Sequence, residues 1–277
     1  MNVINPIDMI FWTIRKNEKD VINLYNSLSP IMQLATGGSM LNFGYWEQNT
    51  AEPISAQENL CSYFGNLAEL ENAKTVVDVG SGLSAPAIFW RKNYDHLKLF
   101  CININYEQLR FSGPHKNIEF INSTSTKLPF SDNSVDRVLA LESSQHFKPL
   151  KNFISESKRI LKSEGVFTLA LPVTLQHTSL FKLGILKFTW SSEHYRLDHV
   201  KELVKLNGFK IHAEQLIGNK VYGPLANYYI ENRKELKKSI LQKYPNYVEK
   251  ILYKSILKMK KASDQKIIDY VVLKCRF

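Results

Sequence analysis

Cysteine is scarce. The chain has three in 277 residues, Cys61, Cys101 and Cys275, an odd number with no C-x-x-C spacing. That pattern offers neither a disulfide framework nor a zinc knuckle, and it fits buried apolar thiols in a reducing compartment. No apolar run reaches the roughly 18 residues that span a bilayer. The opening MNVINPIDMIFWTIRKNEKD lacks the basic start and apolar core of a secretory signal, so a cytoplasmic location is expected. The histidines and acids form no metal-ligand spacing, and no metal is expected. Repeats and low-complexity tracts are also missing.

Acids are in deficit as well: 26 against 36 Lys and Arg, a formal net charge of +10. The excess is concentrated between Arg233 and Lys261, which hold ten basic residues and two acids. Such a segment suits peripheral contact with an anionic membrane, nucleic acid or an acidic substrate; the plain alternative is the solvated face of ordinary helices. Oligomeric state is not legible.

What is present is an alternation. Residues 1–50 read as an aromatic, helical N-terminal cap ending in LNFGYWE. Ser55 to Glu58 read as a capping box opening a helix with Leu60, Phe64 and Leu67 on one face. TVVDV, at 75–79, is a strand running into Gly80-Ser81-Gly82, and Pro86 suits the first turn of the helix behind it. Further strands are expected at HLKLFCIN, NIEFIN, SVDRVLALES, VFTLALPV, FKIHAEQL and IDYVVLKCRF. A helix is read from Leu150 through Lys162, ended by Gly165, and another lies over 197–204. Strands alternating with helices predict an α/β fold with a mostly parallel seven-stranded sheet covered on both faces. The basic helical segment, 222–262, falls as an insertion between the last two strands. Leu252, Ile256 and Met259 recur there at helical spacing, which predicts a lid within a core of 51–277.

The glycine turn fits G-x-G-x-x-A, the dinucleotide fingerprint, but the ribose position about twenty residues on holds Asn103 where an acid is needed. Asp78, two residues before the turn, points elsewhere. VVDVGSG, INYEQL, STKLPFSDNSVDRVLALES and RILKSEGVFTLA together resemble, in order, the class I S-adenosylmethionine-dependent methyltransferases. LNFGYW and ALESSQHF resemble the small-molecule branch that acts on sterols, tocopherols and other lipid-like or natural-product acceptors. The resemblance implies a Rossmann-like fold, S-adenosylmethionine as cofactor (S-adenosylhomocysteine as product), and O- or C-methylation of a small acceptor. It also implies the site. Asp78, Gly80, Ser81 and Gly82 would hold the methionine end, Asn103 the ribose with help from Gln108, Thr124 and Ser125 the adenine, and Tyr45 and Trp46 would close over the donor. Glu142 would face the sulfonium or hydrogen-bond the cofactor's backbone, and His146, four residues on, would be the general base.

Each residue has a plainer reading: a capping acid at Asp78 or Glu142, a surface residue at Gln108, a structural histidine at His146, core packing at Tyr45 and Trp46. The sequence departs from the family at Ser84, where a third glycine is usual, and at Thr124-Ser125, where an acid is. An RNA or protein methyltransferase using the basic segment, a non-catalytic homologue and an NAD enzyme are the alternatives. No nucleic-acid partner is expected, because ESSQHF does not resemble the loops used on base amino groups.

Overall fold

Runs of β-branched and aromatic residues become strands. Thr75–Val79 (β1), Lys98–Asn103 (β2), Ile118–Asn122 (β3), Val135–Leu141 (β4), Leu161–Thr174 (β5), Lys210–Leu216 (β6) and Ile268–Arg276 (β7) form one sheet in the order β3-β2-β1-β4-β5-β7-β6. β1 to β5 pair in parallel, and β7 runs antiparallel to both of its neighbours. The computed structural model describes residues 11–12, 14–177, 182–190 and 192–277. The first ten residues of the expected cap lie outside the described residues.

Successive strand side chains face opposite sides. Val76, Leu99 and Leu139 join one layer with Phe64 of α2 (Pro53–Leu67) and Trp90 of α3 (Ala85–Asn93). Val77, Val138 and Phe167 join the other layer with Phe153 of α5 (Leu150–Ile160) and Val200 of α7 (Leu197–Leu206). A short α4 (Tyr106–Phe111) follows β2, and α6 (Leu186–Thr189) follows β5. Strand order reverses between β1 and β4, so their C-terminal ends part there and leave a crevice.

Two helical segments lie over that crevice. The first is α1 (Glu18–Thr36), opened by a capping box in which Asn17 accepts from the Asp20 N–H and Asp20 accepts from the Asn17 N–H. The second comprises α8 (Tyr222–Glu231), α9 (Arg233–Leu241) and α10 (Asn246–Asp264), which all fall between β6 and β7. Ile31 of α1 packs with Ile240, Tyr244 and Val248, which joins the two segments.

Two boundaries differ from expectation. α2 starts at Pro53 rather than Ser55, its N-cap is Glu52, and no side chain caps it. Proline's fixed φ suits the first helical position, so it decides the start over the Ser-x-x-Glu pattern. α5 stops at Ile160, because Leu161 already pairs with Val135; Gly165 and Lys162 therefore lie within β5.

Candidate active site

The turn after β1 is shaped by Gly80. Its φ is +76°, and an added Cβ would lie 2.4 Å from the Cβ of Ser143 and 3.0 Å from Phe147 Cζ. No side chain fits there. The N–H groups of Gly80 and Ser81 both donate to Ile102 O, at 2.7 and 3.1 Å, which ties the turn to the end of β2. Ser84 stands where a third glycine was expected and still takes the left-handed conformation, φ +56°. The missing glycine thus changes the residue but not the backbone path. Around Gly82, by contrast, there is room: the nearest atom to an added Cβ is Leu41 Cδ1 at 3.6 Å.

Above the turn lies a cavity of about 520 Å³, bounded by the ends of β1, β2 and β4 below and by α1 and α10 above. Asn103 sits at the end of β2. Its amide donates to Gly82 O at 3.1 Å and to Gln108 Oε1 at 2.9 Å, while Gln108 donates to Ser29 Oγ of α1 at 3.0 Å. Asn105 donates to Asn26 Oδ1 at 2.7 Å. The polar face of α1 is therefore pinned to the second strand, and Asn103 Oδ1 keeps the capacity to accept from a hydroxyl.

Asp78 lies under the turn, 2% exposed, and its Oδ2 has no hydrogen-bond partner. Burial pushes its carboxyl up to about 7. A buried carboxylate oxygen without a donor is costly, and an ammonium group from a bound molecule would supply one. The residues present therefore fit S-adenosylmethionine. The 80–82 turn and Asn103, which line the cavity, would give its chain close backbone approach and an acceptor for a ribose hydroxyl, and Asp78, directly beneath the turn, would answer the charge of its amino acid end.

Glu142 ends β4 in the left-handed conformation, φ +52°. Its Oε1 accepts from the Phe43 N–H at 2.9 Å and from the Tyr270 O–H at 3.0 Å. Burial raises its carboxyl to about 8, against the lowering effect of those two bonds. Glu142 thus holds the LNFGYW loop over the cavity. It is Leu41 and Phe43 of that loop that reach the lining. Tyr45 and Trp46 do not. Tyr45 stacks on Tyr63 with centroids 4.9 Å apart, and Trp46 packs tilted on Tyr228 at 5.8 Å, so the expectation that they close over the donor is corrected to core packing. Thr124 is also turned away, donating to Glu18 Oε1 of α1 at 2.5 Å, while Ser123 and Ser125 line the cavity.

His146 reaches the cavity from the 3₁₀ turn Ser144–His146. Its Nε2 lies 2.8 Å from Tyr25 Oη, with the two rings edge-on at 5.3 Å. Gln145 Nε2 donates to Glu142 O at 2.7 Å, which identifies it as the amide nitrogen, and lies 3.3 Å from His146 Nε2. An amide nitrogen carries donors alone, so His146 Nε2 is the accepting nitrogen and the Tyr25 O–H donates to it. Burial and the Glu142 charge hold the Tyr25 phenol well above its ordinary range, so it keeps its proton. Sequence reasoning missed Tyr25. The available signal was Tyr25, Asn26 and Ser29 grouped on one side of α1, next to its apolar Leu24, Leu28 and Ile31.

Residues 77–169 match a family described as a methyltransferase domain. The erythromycin 3''-O-methyltransferase of Saccharopolyspora erythraea is 26% identical over 153 residues, covering 52% of this chain and 50% of that protein. The sterol 24-C-methyltransferase ERG6B of Gibberella zeae is 27% identical over 169 residues, covering 56% of this chain and 44% of that protein. The chain spans about half the length of these curated relatives. Among solved structures, the [4+2]-cyclase SpnF superposes with a TM-score of 0.78 at 17% identity, covering 94% of this chain and 96% of its own; that likeness concerns the fold. Asp78 before its glycine turn, the ordered motifs and the matched segment agree: residues 77–169 carry a methyltransferase domain, and the chain is similar there to small-molecule methyltransferases.

Proposed function

We propose that the chain is a methyltransferase that moves a methyl group from S-adenosylmethionine to a hydroxyl, or to an activated carbon, of a small lipid-like or natural-product acceptor. One observation carries this reading: a single cavity has the 80–82 turn and Asn103 on one wall and the Tyr25–His146 pair on another. When bound, the cofactor supplies an electrophilic methyl and a neutral leaving group. The chain's task is alignment, exclusion of water and removal of a proton. Leu24, Leu28, Ile31, Ile256 and Met259 give the acceptor side an apolar wall. An acceptor hydroxyl against Tyr25 Oη gives up its proton to that oxygen while Tyr25's own proton passes to His146 Nε2. The proton rests on the imidazolium until the products leave. Reaction at carbon releases its proton after the new bond forms, and the same pair receives it. Glu142 and the neutral Gln145 amide orient the loop and the imidazole.

α10 also presents a basic outer face. We read it as the side turned to an anionic membrane, from which an apolar acceptor enters. Among the described residues, no helix is long and apolar enough to cross a membrane.

The test is a screen of lipid and polyketide fractions with methyl-labelled donor, followed by kinetics on the acceptor found. His146→Ala and Tyr25→Phe should each lower kcat by about 10²- to 10⁴-fold, the usual worth of general-base catalysis, while leaving S-adenosylhomocysteine affinity unchanged. Wild-type turnover in both variants removes the proton relay. Label in no fraction removes the methyltransferase reading.

A further inference from the structure

The cavity wall is apolar along two helices and cationic at one rim. Lys16 Nζ donates to Ser192 O at 2.6 Å and lies 3.9 Å from Glu193 Oε1. Lys148 Nζ lies 3.5 Å from the same carboxylate oxygen. Lys187 adds a third positive charge to the field at Lys16. One carboxylate therefore serves two ammonium groups, with a third positive charge nearby. Glu18, the other acid at this rim, is turned to the Thr124 hydroxyl. Lys16 is half-buried, and burial pushes its ammonium below the ordinary range, a penalty that Glu193 opposes and that Lys148 and Lys187 deepen. The rim is short of negative charge.

The rim is also close to the proposed base. The Glu193 N–H donates to Gln145 O at 3.0 Å, one residue from His146, and Lys148 is two residues beyond His146. Gln145 itself lines the cavity. Away from the rim the wall is apolar. On α10 the lining runs from Tyr247 to Met259, about 18 Å at 1.5 Å per residue.

We propose that the acceptor is an anionic amphiphile. Its carboxylate or phosphate sits against Lys16 and Lys148, and its apolar body lies between α1 and α10. This rests on the methyltransferase reading for its consequence: the methylated atom is near the charged end of the acceptor and not at the tip of its tail. A hydroxyl or activated carbon close to the anion is then the group presented at Tyr25.

Calorimetry on the full chain in the presence of S-adenosylhomocysteine, with dodecanoate, dodecyl phosphate and dodecanol as probes, tests this. At least one anion should bind about tenfold more tightly than dodecanol, as expected for charge-assisted bonds to two lysines, and comparing the two anions identifies carboxylate or phosphate. In Lys16→Gln/Lys148→Gln the preference should vanish with dodecanol affinity unchanged, and Lys148→Arg should keep it. Should the double variant fail to fold, Lys148→Gln alone, at an exposed position, must reduce the preference. Equal binding of anions and alcohol by the wild type, or a preference that survives loss of the lysines, overturns the proposal. Methyl transfer is not read in this experiment, so its failure and the failure of the methyltransferase reading are separate results.

Discussion

Asp78 keeps a carboxyl in a place where burial makes ionisation unfavourable. Its pKa rises on folding from the ordinary value near ~4 to about 7 through burial. Between those values the folded chain keeps a proton that the unfolded chain releases. Its contribution to stability is therefore full below about pH 4 and is lost as pH rises through about 7. Glu142, raised to about 8 by burial, adds a second loss in the same direction. Thermal unfolding of the cofactor-free chain from about pH 5 to about pH 9 should show falling stability, and Asp78→Asn should flatten the slope and leave the share that belongs to Glu142. The same variant should bind S-adenosylmethionine about 10- to 100-fold more weakly, because its neutral amide replaces a charge-assisted partner. An unchanged slope together with unchanged donor affinity would refute the role given to Asp78. This residue was legible in the sequence, since an acid two positions before a glycine turn is a local pattern. Tyr25 was not legible as a proton carrier. Its partner His146 is 121 residues away, and the pairing exists through the packing of α1 across the sheet.

α9 and α10 depend on a buried ion pair. Glu249 is fully buried, and Arg233 donates to its two oxygens at 2.8 and 3.3 Å while lying 3.5 Å over the Tyr253 ring. Arg233→Ala leaves that carboxylate buried and unpaired, at a cost of about 2–4 kcal/mol, and the cost falls on α9 and α10. Hydrogen exchange should then quicken across α9 and α10 with β1 to β5 unchanged, and Arg233→Met/Glu249→Leu should restore protection by removing both charges. Exchange indistinguishable from wild type in Arg233→Ala would show that the pair does not hold these helices. The helical spacing of Leu252, Ile256 and Met259 was readable, and all three line the cavity. Less readable were ends fixed by competition. Pro53 overrode the Ser55 capping pattern, and the pairing of Leu161 with Val135 ended α5 before its glycine. Tyr45 and Trp46 illustrate the same limit, because LNFGYW marks a loop at the site without saying which of its aromatics turn inward.

Charge and apolar lining are divided between two sides of one helix. Lys250 and Lys254 of α10 are exposed, while Leu252 and Ile256 face the cavity. With Lys234, Lys238, Lys243 and Lys261, also exposed, the outer side is a basic surface whose inner side lines the cavity. A molecule so arranged can dock on an anionic bilayer and take an apolar acceptor directly into the cavity. Each lysine near such a surface contributes about 1 kcal/mol, an attraction that falls within a Debye length and is weakened by salt. The chain should therefore co-sediment with vesicles containing phosphatidylglycerol at low salt and release at high salt. Lys250→Glu/Lys254→Glu should weaken that binding by well over tenfold and leave binding of soluble dodecanoate unchanged, since neither lysine lines the cavity. Binding to neutral phosphatidylcholine vesicles with equal affinity would assign the attraction to apolar contacts instead. No binding to either vesicle at low salt would leave the lysines as a solvated face, and the acceptor would then have to arrive through solution.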